Sequence, residues 1–144
     1  PAKRARLARA PALPIDFQWT GVGFGMSDVA MHLSHSVAVE ALQGPGEREL
    51  LECYRGALVE AVGSPASDAY TPGTAWRQYC LGVVDYARMV LGAFFKGASP
   101  GAFESRAGSM NVGLAYRSAE ASFVFVERVD RCLREVESEF SGRI

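Results

Sequence analysis

The chain has 144 residues, 49% of them apolar and 22% charged, with a formal net charge of -1. That length and apolar share suit one compact domain with its own core, and the near-neutral balance provides no global basic field for nucleic acid. No run of about eighteen apolar residues exists, so the sequence holds no membrane-spanning helix, and its first residues lack the apolar stretch of a signal peptide. Three cysteines, Cys53, Cys80 and Cys132, are widely spaced. They match neither a disulfide framework nor a zinc pattern. Buried, reduced thiols in a cytoplasmic protein are the expectation.

Charge is uneven at the start. Lys3, Arg4, Arg6 and Arg9 occur with no acid among them, so residues 1–12, Ala-rich and carrying Pro11, read as a basic linker. A basic arm can touch a phosphate-bearing partner; a solvated linker is the plainer reading. From Leu13 to Thr20 the apolar residues Ile15, Phe17 and Trp19 alternate with Asp16, Gln18 and Thr20, and that period of two predicts a short strand. Pro14 is tolerable near its beginning. Such a strand needs a pairing partner, from residues 1–12 or from chain beyond this sequence. Gly21, Gly23 and Gly25 then interrupt it.

The rest reads as helices. Ser27 or Asp28 is the expected N-cap of a helix reaching about Leu42. A second helix spans about Glu47 to Val62, after Gly44-Pro45-Gly46. A loop from Gly63 to Gly73 leads to the longest helix, about Thr74 to Lys96, with an apolar face including Trp76, Tyr79, Cys80, Val83, Ala87 and Val90. A short helix to Ala107 follows Pro100. The last helix covers about Ser118 to Glu139, with Phe123, Val126, Val129, Leu133, Val136 and Phe140 as its expected buried stripe.

A strand followed by Gly21-Val-Gly-Phe-Gly25 invites a nucleotide-loop reading, which the spacing rejects. The dinucleotide fingerprint needs a sixth-position glycine, where Met26 stands. No Gly-Lys-Ser/Thr tripeptide supplies a P-loop, and the lysines are Lys3 and Lys96 only. The glycines serve a sharp turn instead. Asp16 is a different matter. A carboxylate between Ile15 and Phe17 needs a partner when buried. Either backbone N–H groups or a divalent cation near nucleotide phosphates meets that need.

Ile15-Asp16-Phe17-Gln18-Trp19, the Gly-Val-Gly-Phe-Gly turn and Asp28-Val-Ala together resemble the segment that follows the catalytic loop in aminoglycoside phosphotransferases and choline kinases. The variant is most similar to the choline-kinase-like and ecdysteroid-kinase-like branch. Softer likenesses lie in Asp85-Tyr86-Ala87-Arg88, Phe94-Phe95-Lys96-Gly97 and Asn111-Val112-Gly113-Leu114. The resemblance implies a mainly α fold: the helical C-lobe of a protein-kinase-like enzyme over residues 13–144, with one short N-terminal strand or hairpin. It implies ATP as co-substrate and Mg²⁺ held by Asp16. It gives Asp28 the task of holding the catalytic loop in shape and capping its helix. It implies an acceptor pocket walled by the later helices, for which Trp76, Tyr79, Asp85, Tyr86 and Arg88 are candidates. Aromatic rings there could hold a cationic amine, so the acceptor is an alcohol or amino-alcohol; choline, an aminoglycoside, a steroid and other alcohols all remain open. The bland alternatives are core packing for the aromatics and an intrahelical ion pair for Asp85 and Arg88.

The family's His-x-Asp catalytic loop should precede the strand, yet residues 1–14 contain no His, Asp or Asn. No catalytic residue is therefore assigned. The expectation is a fragment that is inactive without its catalytic loop and N-terminal lobe. A non-catalytic helical interaction module, or a pseudokinase remnant with a structural Asp16, is the rival. A weaker rival is a metal site on Asp28, His32 and His35, which share a helix face; packing histidines are the plainer reading. No Gly-x-Ser-x-Gly elbow or Cys/His nucleophile pair supports acyl transfer.

Overall fold

The computed structural model describes residues 22–63, 69–109 and 112–141. The linker expected over residues 1–12, the strand expected over 13–20 and Asp16 lie outside these residues. The described residues are mainly helical: α1 (Gly25–Ser36), a 3₁₀ turn (Val39–Leu42), α2 (Gly46–Val62), α3 (Pro72–Met89), α4 (Pro100–Arg106), α5 (Leu114–Arg117) and α6 (Ala119–Phe140).

Local chemistry fixes the starts of α3, α4 and α6. Thr71 Oγ1 accepts the Thr74 N–H at 3.1 Å, and Pro72 takes the first helical position. A missing N–H costs nothing there, so α3 begins two residues before the expected Thr74. Ser99 and Pro100 repeat the device for α4, and Ser118 caps α6 through the Ala121 N–H. Gly63 ends α2 at φ +94°, a backbone state that favours glycine.

α1 departs from expectation at both ends. Its N-cap is Phe24, without a side-chain cap, rather than Ser27 or Asp28. The earlier start puts Met26 inside the helix, where it is fully buried, and apolar burial of that size outweighs a polar cap. The chain leaves the helix at Val37, which is extended, and resumes as the 3₁₀ turn. The long third helix also changes form. After Met89 it widens into a π segment, Val90–Phe94, and tightens to 3₁₀ over Phe95–Gly97.

α3 is the spine, packed against α1 on one side and α6 on the other. Met26, Ala30 and Leu33 of α1, Leu51 of α2, Tyr79, Cys80 and Val83 of α3 and Cys132 of α6 form the larger apolar cluster. Ala87, Val90, Ala115, Tyr116 and Phe125 form a second. Gly82 permits the close approach of α1: a Cβ there would sit 3.0 Å from Ser27 Cα and 3.2 Å from Ala30 Cβ. Cys80 and Cys132 are buried as expected, but Cys53 lies exposed on α2. Among the described residues no helix is long and apolar enough to cross a membrane.

The buried face of α6 matches the expected stripe only in part: Val129 and Val136 pack against the core, half-buried. Ala121, Ser122, Phe125, Arg128 and Cys132 face inward. Phe123 keeps 72% and Val126 45% of their surface, and Leu133 and Phe140 are also exposed. An ionic contact rotates the helix to this setting. The Glu47 carboxylate, 4% exposed, accepts from Tyr79 Oη at 2.6 Å and from Arg128 Nε at 2.7 Å. It also accepts from Arg131. Arg128 Nη1 donates onward to Ser34 Oγ at 3.2 Å. One carboxylate thus ties α2 to α3 and α6, and Arg128 carries the tie to α1.

Removing one partner of a buried pair costs about 3–5 kcal/mol, whereas replacing both by apolar groups is often neutral. Urea unfolding of Glu47→Leu is therefore expected to show a loss in that range. Glu47→Leu with Arg128→Met should recover most of it. A Glu47→Leu protein as stable as the wild type would show that the tie holds nothing together.

Candidate functional site

A cavity of about 580 Å³ opens between α1, α3 and the segment leading into α5. α1 supplies Met31 and His35 to its wall. Tyr86 and Met89 come from the end of α3, and Ala93 from the π segment. Arg106, in the last turn of α4, and Gly113 and Tyr116, around α5, complete the part of the lining that bears on its chemistry. The volume falls in the range of small-molecule pockets.

His35 Nδ1 and Tyr86 Oη are 2.7 Å apart, a hydrogen bond between residues 51 positions apart in sequence. Tyr116 stacks edge-on to His35, with ring centroids at 6.0 Å, and its hydroxyl lies beside that of Tyr86. Gly113 is needed behind the imidazole, because a Cβ there would come within 2.6 Å of His35 Nε2. Burial holds the His35 pKa below its ordinary value of 6.5. Burial also raises the phenols of Tyr86 and Tyr116. At neutral pH the imidazole is therefore uncharged and both phenols keep their protons. Nδ1 then accepts from Tyr86, and the Tyr86 oxygen can accept from Tyr116 or from a ligand hydroxyl.

Of the five residues expected in an acceptor pocket, Tyr86 lines this cavity and the other four lie elsewhere. Tyr79 is committed to Glu47 in the core. Trp76 packs beside it, with the Arg48 guanidinium 3.5 Å from its ring centroid. Asp85 and Arg88 form an exposed ion pair at 2.9 Å, one turn apart on α3. Asp28 is exposed in the first turn of α1. His32 is exposed while His35 turns inward to Tyr86, so the two histidines do not converge. Among the described residues no group of three or more His, Cys, Asp or Glu side chains is placed to hold a metal ion.

Sequence reasoning overlooked Met31, Met89, Arg106 and Tyr116. The spacings were present, since Met31 and His35 stand four apart and Tyr86 and Met89 three apart, each pair on one helix face. What joins the two faces is a contact between distant segments, which spacing does not encode. Comparison with protein-family models, with curated proteins and with solved structures returned no match to this chain.

The depressed His35 pKa has a consequence with a definite sign. The unfolded chain takes up a proton near 6.5, before the folded chain does, so stability is full above that pH and falls as pH drops below it. The fall continues until the lower folded value is passed. Urea midpoints at pH 7.5 and 5.5 should differ more for the wild type than for His35→Gln. Equal pH dependence in the two proteins would remove His35 as the cause.

Proposed function

We propose that this chain is the helical C-lobe portion of an ATP- and Mg²⁺-dependent kinase that phosphorylates a hydroxyl of a small molecule. The observation that carries the reading is a double use of α1. The segment resembling the kinase family's metal-binding turn runs into this helix at Asp28, and the same helix lines the cavity with Met31 and His35. Asp28 and His35 are separated by about 10 Å of helix, so a phosphate-handling end and an acceptor cavity would lie within the span of one small substrate.

In this reading Asp16 supplies a carboxylate to Mg²⁺, which when bound neutralises charge on the phosphoryl group in transit. A single carboxylate leaves most of the ion's shell to phosphate oxygens, water and groups upstream. Asp28, exposed at the start of α1, is free to accept hydrogen bonds from the catalytic loop. Tyr86, held by His35, presents its hydroxyl oxygen to the acceptor. The catalytic base and the ATP-grasping lobe would come from sequence preceding Pro1, and the 144-residue chain by itself would transfer no phosphate. A cytoplasmic setting, with ATP and reduced thiols, agrees with cysteines that are all free.

One observation favours the non-catalytic alternative, an interaction module: Phe123, Val126 and Leu133 leave an apolar edge exposed on α6. Turnover separates the two. In a protein carrying the catalytic loop upstream, Asp16→Ala should remove several kcal/mol of transition-state stabilisation, a loss of about a thousandfold or more in Mg²⁺-dependent phosphoryl transfer. Unchanged turnover in that variant would rule out the assignment of Asp16 to the metal, and no Mg²⁺-dependent phosphoryl transfer by the unsubstituted protein would sink the kinase reading and leave the interaction module.

A further inference from the structure

The charge inventory of the cavity narrows what it can hold. Among the described residues its lining contains no Asp or Glu, and the full charge there is the Arg106 guanidinium. Most described arginines are already engaged. Arg55, Arg77, Arg88, Arg128, Arg131 and Arg134 pair with carboxylates, Arg48 stacks on Trp76, and Arg117 donates to the Ser109 carbonyl. Arg106 enters none of the ion pairs or side-chain hydrogen bonds formed among the described residues, although it is half-buried at the end of α4. A half-buried guanidinium over an apolar wall is a ready partner for a planar anion, which it can grip through two parallel N–H bonds.

The remainder of the lining is apolar or neutral. Met31, Met89, Ala93 and Val112 offer hydrocarbon and thioether surface, adaptable in shape where methionine contributes. The aromatic rings are occupied with one another: Tyr86 meets Phe125 edge-on at 5.9 Å, and Tyr116 meets both His35 and Phe95 edge-on. A cationic amine would lose its water here and find no carboxylate among the described lining residues, with Arg106 repelling it. An apolar body carrying a carboxylate meets the opposite situation.

We propose that this cavity binds a small apolar carboxylate, its carboxylate paired with Arg106, its skeleton against Met31, Met89 and Val112, and any hydroxyl directed to the Tyr86 oxygen. The inference deepens the acceptor-pocket reading and rests on it for the hydroxyl alone. For the kinase it selects hydroxylated carboxylic acids over amino-alcohols as acceptors. Its readout is equilibrium binding without ATP or metal, so it can fail while phosphoryl transfer stands, and the reverse.

Three probes of one shape and different charge test it: adamantane-1-carboxylate, 1-adamantanol and 1-adamantylammonium, titrated calorimetrically into the 144-residue chain at pH 7.5. The carboxylate should bind at least about tenfold more tightly than the alcohol, as a charge-assisted pair implies, and the ammonium most weakly. Arg106→Gln should bring the carboxylate down to the alcohol's affinity, while Arg106→Lys keeps part of the preference. Ala93→Trp should fill the cavity and weaken all three probes. Arg88→Gln, a charge change on the exposed face of α3, should leave the order intact. Absence of saturable carboxylate binding, equal affinity for the three probes, ammonium as the tightest, or a preference that survives Arg106→Gln would each overturn the proposal.

Discussion

The placement of every long helix depends on one buried carboxylate. Glu47 stands near the start of α2, yet its partners come from α3 and α6, and through Arg128 the network reaches Ser34 on α1. Charges removed from water are costly unless their bonding capacity is filled. This arrangement of the helices fills it for Glu47 and Arg128 together. The apolar contacts of the two clusters hold the helices to each other, while the ionic contact fixes how each is rotated. α1 inherits its position from this arrangement, and with it the location of His35 beside Tyr86.

That dependence explains what could be read in the sequence and what could not. α2, α4 and α6 lie close to their expected spans because prolines, glycines and serines at their ends act locally. The orientation of α6 was hidden. Hydropathy counts Arg128 as surface and Phe123 as core, and both assignments are reversed. Arg128 is buried because its counter-charge sits 81 positions earlier, beyond any local window. α1 misled in a smaller way: Ser27 and Asp28 look like caps, but the burial of Met26 placed the start before them. The cavity was legible only in part. Tyr86 was singled out by its position, while His35 drew notice for metal spacing rather than for the hydrogen bond it makes.

The two halves of the molecule handle charge by different means. Around Glu47, cations and an anion are buried together and cancel. Around the cavity, the polar groups remain neutral: an imidazole deprotonated by burial and two protonated phenols. A neutral lining leaves the Arg106 cation unmatched among the described residues. Its field is then available to whatever enters, and weak hydrogen-bonding groups nearby can orient a ligand without competing for its charge.

The π segment at Val90–Phe94 bears on how this chain can vary. A π turn is an α-helix with one residue too many, so losing a single residue there would restore regular winding with no break in the backbone ladder. Because the surplus residue is taken up within that one turn, the chain beyond it would keep its setting, and the side chains of the turn itself would be re-aimed. Ala93, inside the turn, would shift in the cavity wall, while Phe95, beyond it, would keep its place against Tyr116. A one-residue change in length at this point would thus retouch one wall of the cavity, while the Glu47 tie, which spans the turn to reach Arg128 and Arg131 on α6, keeps its register.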